Sequence, residues 1–65
     1  MWVEFMTVGN AYVAETWYEL FAAEGLRIVV IPPVGRGEDA SMRDERTIYV
    51  PTGKAHVARE ILRKI

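Results

Sequence analysis

The spacing of apolar positions changes several times along the chain, and each change marks an element. Trp2 to Val8 is aromatic, β-branched and apolar, interrupted by Glu4, and reads as a strand. Gly9-Asn10 breaks it, and Asn10 suits the N-cap of a helix, where its side chain accepts from an otherwise orphaned amide. From Ala11 the period becomes helical: Val13, Ala14, Trp17, Leu20 and Phe21 share one face, with Glu15 and Glu19 opposite. This predicts a helix over Ala11–Glu24, ended by Gly25 in the left-handed conformation that closes many helices. Leu26 to Ile31 is short and β-branched and predicts a second strand, stopped by Pro32-Pro33, which cannot donate to a ladder. Residues 34–46 are polar, rich in charge and glycine, and aperiodic, and read as a long loop. Thr47 to Val50 predicts a third strand. Pro51-Thr52 ends it, with Thr52 as the expected cap of a second helix whose apolar stripe is Ala55, Ala58, Ile61, Leu62 and Ile65.

The order is β-α-β-loop-β-α. A full helix in the first crossover makes strands one and two parallel, with a right-handed connection. The third strand is expected between them and antiparallel to both. The fold class is therefore α+β: a two-layer split β-α-β domain, a ferredoxin-like sheet truncated by its final strand, with both helices on one face. Residues 1–65 form a single domain.

Alternation along strands sorts the side chains into two faces. Val3, Phe5, Thr7, Ile28, Val30, Ile48 and Val50 are expected toward the helices. Glu4 and Arg27 mark the other face, which nevertheless carries Trp2, Met6, Val29, Ile31 and Tyr49. Such a patch on a monomer would lie open to water, and patches of that kind mark interfaces. We expect these five residues to carry self-association, a dimer first. The competing arrangement is a curled sheet, or the long loop folded back over the patch.

Composition strengthens this expectation. A chain of 65 residues buries only about 60% of the surface its unfolded form exposes and is marginal by itself. It has no cysteine and a single histidine, which removes disulfides and makes a structural zinc site unsuited, so a partner chain is the natural supplement. The net charge of −1 supplies no footprint for nucleic acid or an anionic membrane. No apolar run approaches a membrane span and the N-terminus lacks the features of a signal peptide, so a cytoplasmic setting is expected.

Candidate chemistry is sparse. His56 and Glu60 are spaced to meet on one helix face, but no second histidine or neighbouring nucleophile joins them, so an exposed polar pair is the expectation. Thr52-Gly53-Lys54-Ala55 stands where a phosphate loop would, yet Ile48 replaces its first glycine and Ala55 its hydroxyl. Ordinary helix initiation accounts for it, with anion capture by Lys54 and the helix amides as the sharper alternative. Trp17, Tyr18 and Phe21 have helical spacing and read as core rather than a ligand box. The loop is more informative. Gly35 and Gly37 flank Arg36, and Arg43 and Arg46 follow among four acidic residues. Arginine beside glycine suits bidentate capture of phosphate or carboxylate, and a solvated, self-neutralising charge run is the plainer reading. No catalytic residue, metal ligand or cofactor is predicted.

Asn10-Ala11-Tyr12-Val13-Ala14-Glu15, Leu20-Phe21-Ala22-Ala23-Glu24-Gly25-Leu26 and Val50-Pro51 followed by Ala55, Ala58, Glu60, Ile61 and Leu62 resemble a small bacterial family described as signal-transducing proteins, a domain of unknown function. The resemblance spans most of the chain except the loop, which departs in length and content. It implies a fold analogous to PII-type regulators, in which the loop between strands two and three contacts partners, and it carries over no catalytic residue. The expected function is a non-catalytic regulatory or interaction module. It would self-associate and present loop 34–46, through Gly35, Arg36, Gly37, Arg43 and Arg46, to a partner protein or small anion. The alternative is a small dimeric ferredoxin-like enzyme or ligand-binding protein with a cavity between sheet and helices, using His56 or Tyr49. A third is a subunit of a larger complex.

Overall fold

The computed structural model describes residues 1–33 and 40–65. Five elements follow in the order β1 (Trp2–Val8), α1 (Ala11–Ala23), β2 (Val29–Ile31), β3 (Arg46–Pro51) and α2 (Ala55–Arg63). The result is a small α+β fold, a three-stranded antiparallel sheet with two helices. β3 lies in the middle, in the order β1-β3-β2, and pairs antiparallel with both neighbours.

The boundaries of α1 follow from its sequence. Asn10 is the N-cap, and its Oδ1 accepts the Val13 amide at 2.9 Å. At the other end Gly25 takes φ +85°, a value that carries strain for any residue with a Cβ. The Gly25 amide donates to Ala22 O and the Leu26 amide to Phe21 O, at 3.0 and 2.9 Å. Leu26 and Phe21 then meet in the core, which completes a Schellman close. Glu24 is the cap, one residue beyond the last helical residue.

α2 begins differently from expectation. Its N-cap is Lys54, with no side-chain bond, and not Thr52. The Thr52 amide is held by Met1 O at 2.9 Å, Gly53 turns the chain at φ +87°, and the Lys54 amide returns to Pro51 O. That turn places Thr52 too far back to reach the first amides of α2. The helix stops at Arg63, so Ile65, expected on the stripe, lies beyond it and is exposed.

The core gathers Phe21 from α1, Ala58 and Ile61 from α2, Ile48 and Val50 from β3, and Leu26 and Ile28 from the approach to β2. Phe21, Ile48 and Val50 lose all exposure, each worth roughly 1.5–3 kcal/mol relative to an exposed side chain. Phe21 also meets Phe5 edge-on at 6.3 Å between ring centroids and Trp17 tilted at 5.9 Å. Val13, on the predicted stripe, stays exposed.

β1 departs most from simple alternation. Val3 pairs with Val50 and Glu4 with Tyr49, but the next partners are Met6 and Ile48, so Phe5 is an extra residue, a β-bulge. Beyond it the parity reverses. Met6 and Val8 oppose the buried Ile48 and Arg46, and with Phe5 they pack on the core. Thr7 goes outward, its hydroxyl 3.4 Å from that of Thr47. Met6, expected on the outer patch, is therefore a helix-side residue, and Thr7 takes the opposite part. β2 is shorter than predicted, starting at Val29 rather than Leu26. The register Val29–Tyr49 would carry Arg27 opposite Pro51, which has no amide hydrogen for a ladder.

Candidate functional site

The outer face of the sheet is read directly from the register. Its rows are Trp2 beside Pro51, then Glu4, Tyr49 and Val29, then Thr7, Thr47 and Ile31. Trp2, Val29, Ile31 and Tyr49 line a shallow open groove of about 380 Å³. Trp2 and Ile31 are 43% and 40% exposed, while Val29 and Tyr49 are half-buried. Four of the five residues expected to carry self-association are thus brought together, and Met6 is not among them. None of the four residues that line the groove is charged; Glu4 shares a row with Tyr49 and Val29 on the β1 side.

The second candidate is the connection from β2 to β3. Gly35, Arg36 and Gly37 lie outside the described residues. Residues 40–45 are tied to the end of the molecule where α1 begins, with the Ala11 amide donating to Met42 O at 2.9 Å. Within them Ser41 and Asp44 build a tight turn. The Asp44 amide donates to Ser41 O at 3.0 Å, the Ser41 amide to Asp44 Oδ2 at 2.9 Å, and the Arg43 amide to Ser41 Oγ at 3.1 Å.

Arg46 fixes this turn. It is the first residue of β3, points to the helix side opposite Val8, and is 9% exposed. Its guanidinium donates to the backbone carbonyls of Asp44 (2.8 Å), Glu45 (3.1 Å) and Ser41 (3.0 Å). Those donors are committed within the chain, so Arg46 supports the turn rather than standing outward as the expected contact. Arg43, at the turn itself, is exposed. Of the three arginines expected to act together, Arg36 lies outside the described residues, Arg43 is exposed and Arg46 is enclosed. Only the hydrogen bonding of the turn reveals this; a charge run carries no sign of which guanidinium will be enclosed.

The remaining candidates are dispersed. His56 is exposed in the first turn of α2, and Glu60 pairs instead with Arg63 at 2.8 Å. Lys54 is exposed at the start of α2. Tyr12 and Tyr18 are exposed; of the three aromatics read as core, Phe21 is buried and Trp17 packs against it, but Tyr18 is not part of the core. A cavity of about 240 Å³ opens where α1 ends, lined by Tyr18, Ala22, Gly25, Leu26, Arg27 and Ile28. Neither His56 nor Tyr49 lines it, and Tyr49 belongs to the outer groove. Among the described residues no group of histidine and carboxylate side chains is arranged to hold a metal ion. No described helix is long and apolar enough to cross a membrane. No buried side-chain nitrogen or oxygen among them lacks a partner. No protein-family model, curated protein or solved structure matches the chain.

Proposed function

We propose that the chain is a small non-catalytic interaction module that self-associates through the outer face of its sheet and offers the turn at Ser41–Asp44, with Arg43, to a partner protein or small anion. The fold reading that accompanies this is a ferredoxin-like split β-α-β lacking its last strand, of the kind suggested by the resemblance to bacterial signal-transducing proteins. One observation carries the proposal: Trp2, Val29, Ile31 and Tyr49 form a continuous apolar groove on the side of the sheet away from α1 and α2. A chain of this size has a small core, and burying the groove against another chain would add apolar burial that the core does not supply. The turn supports the second half of the proposal. Its backbone is fixed by Arg46, so Arg43 is held on an ordered platform and binding there costs little further ordering.

Sedimentation equilibrium across the micromolar range tests the reading. The expected result is a dimer that dissociates on dilution and is weakened by Ile31→Asp. A single 7.4 kDa species at every concentration overturns it.

A further inference from the structure

Two charged residues stand on opposite margins of the sheet, outside the four residues that line the groove. Glu4 belongs to β1 and shares a row with Tyr49 and Val29. Arg27 precedes β2, lies between Leu26 and Ile28, and is exposed where those two are 5% and 3% exposed. It therefore leaves the chain on the side away from the core. Extending the register two residues before Val29, the first paired residue of β2, would set Arg27 one row below Val29, level with Trp2. The side chains of Glu4 and Arg27 form no ion pair or hydrogen bond with another described residue.

Two symmetric ways exist to lay this face on a copy of itself with strands aligned. A two-fold axis running across the strands, through the Glu4–Tyr49–Val29 row, reverses each strand and sets Glu4 over the partner's Glu4. That brings like charges together over a desolvated groove, which is costly. An axis running parallel to the strands, over β3, instead exchanges the two margins. Tyr49 then meets the partner's Tyr49, and Trp2 stands over the partner's Arg27, an arrangement suited to a cation–π contact. Glu4 lies one row, about 7 Å along the strand, from the partner's Arg27, within the span of an arginine side chain. The same contacts recur by symmetry on the other margin.

We propose that the outer face docks on a second copy of this chain about a two-fold axis parallel to the strands, with Glu4 of each copy paired to the partner's Arg27 on either side of the apolar groove. This rests on the self-association reading above and specifies which of its two registers the charges select. The apolar groove supplies attraction without direction, and the Glu4–Arg27 pairs supply orientation.

Charge exchange in the full chain tests it. The native protein, Glu4→Arg, Arg27→Glu and the double variant are compared by sedimentation equilibrium and native mass spectrometry, with circular dichroism confirming the fold of each. Each single exchange is expected to raise the dimer dissociation constant about tenfold. The double exchange recovers it to within about threefold, and an equal mixture of the two single variants yields mixed dimers in excess of the random share. If the dimers of all four proteins are equally tight, or the double variant is no better than the singles, the pairing is overturned while self-association stands. A native chain that stays monomeric overturns both.

Discussion

Both faces of the sheet carry large apolar residues, and these have different fates. On the helix side Ile48 and Val50 meet Phe21, Ala58 and Ile61 and lose all contact with water. On the other side Trp2, Val29, Ile31 and Tyr49 share their rows with Glu4, Thr7 and Thr47 and stay partly open. Composition separates the faces only in part; the reach of two short helices decides which apolar side chains are covered. A helix of thirteen residues and another of nine can shield one side of three strands and no more. The lesson is that the hydrophobic content of a small domain can exceed what its own elements cover, and the surplus here is the surface proposed for self-association.

That contrast can be attacked from both sides, and the effects should descend in a fixed order under urea denaturation in dilute protein. Phe21→Ala strikes the centre of the covered face, where three aromatic or aliphatic neighbours converge, and should cost about 3–5 kcal/mol. Arg46→Ala strips the partner from three backbone carbonyls at the margin of the same face and should cost about 2–3 kcal/mol. Met6→Ala should cost about 1–2 kcal/mol, because the bulge turns this half-buried side chain onto the core. Ile31→Ser, on the open face, should move stability by less than about 0.5 kcal/mol while weakening self-association. The Met6 and Ile31 pair is the sharpest comparison. Simple alternation assigns them to one face, and a similar cost for both would erase the distinction the bulge creates.

Much of the fold was legible because it depends on local chemistry. Asn10 caps and Gly25 stops α1 through bonds made within a few residues, and those residue types announce themselves. β3 in the centre follows from a helical crossover and a chain too short for other connections. What escaped depends on register. The extra residue at Phe5 carries no glycine or proline to mark it, since either parity leaves an apolar residue on the core side. The role of Arg46 depends on where the carbonyls of Ser41, Asp44 and Glu45 converge, a property of the folded turn rather than of any residue in it. Thr52 had the side chain of a cap, and the left-handed Gly53 placed it outside the helix it was expected to start. Of the outer patch, the β2 and β3 members were legible from alternation alone; Met6 was lost to the bulge.

The two ion pairs among the described residues differ from the arrangement proposed for Glu4 and Arg27. Arg63–Glu60 and Lys64–Glu24 are mostly exposed, and pairs of this type contribute little, about 0–1 kcal/mol. Lys64–Glu24 does join the ends of the two helices at 2.9 Å, but the core beneath it already fixes their positions.

The sheet margins set how far assembly can proceed. β2 contributes three paired residues before Pro32 and Pro33, too few to template a further strand. β1 is longer, but its ladder is interrupted at Phe5, and the kink there spoils a straight run of donors and acceptors for an incoming chain. With both edges blunted, growth strand by strand into a fibre is suppressed. In the proposed docking the open face closes on a copy of itself and leaves no second copy of that face free, which would give a finite assembly.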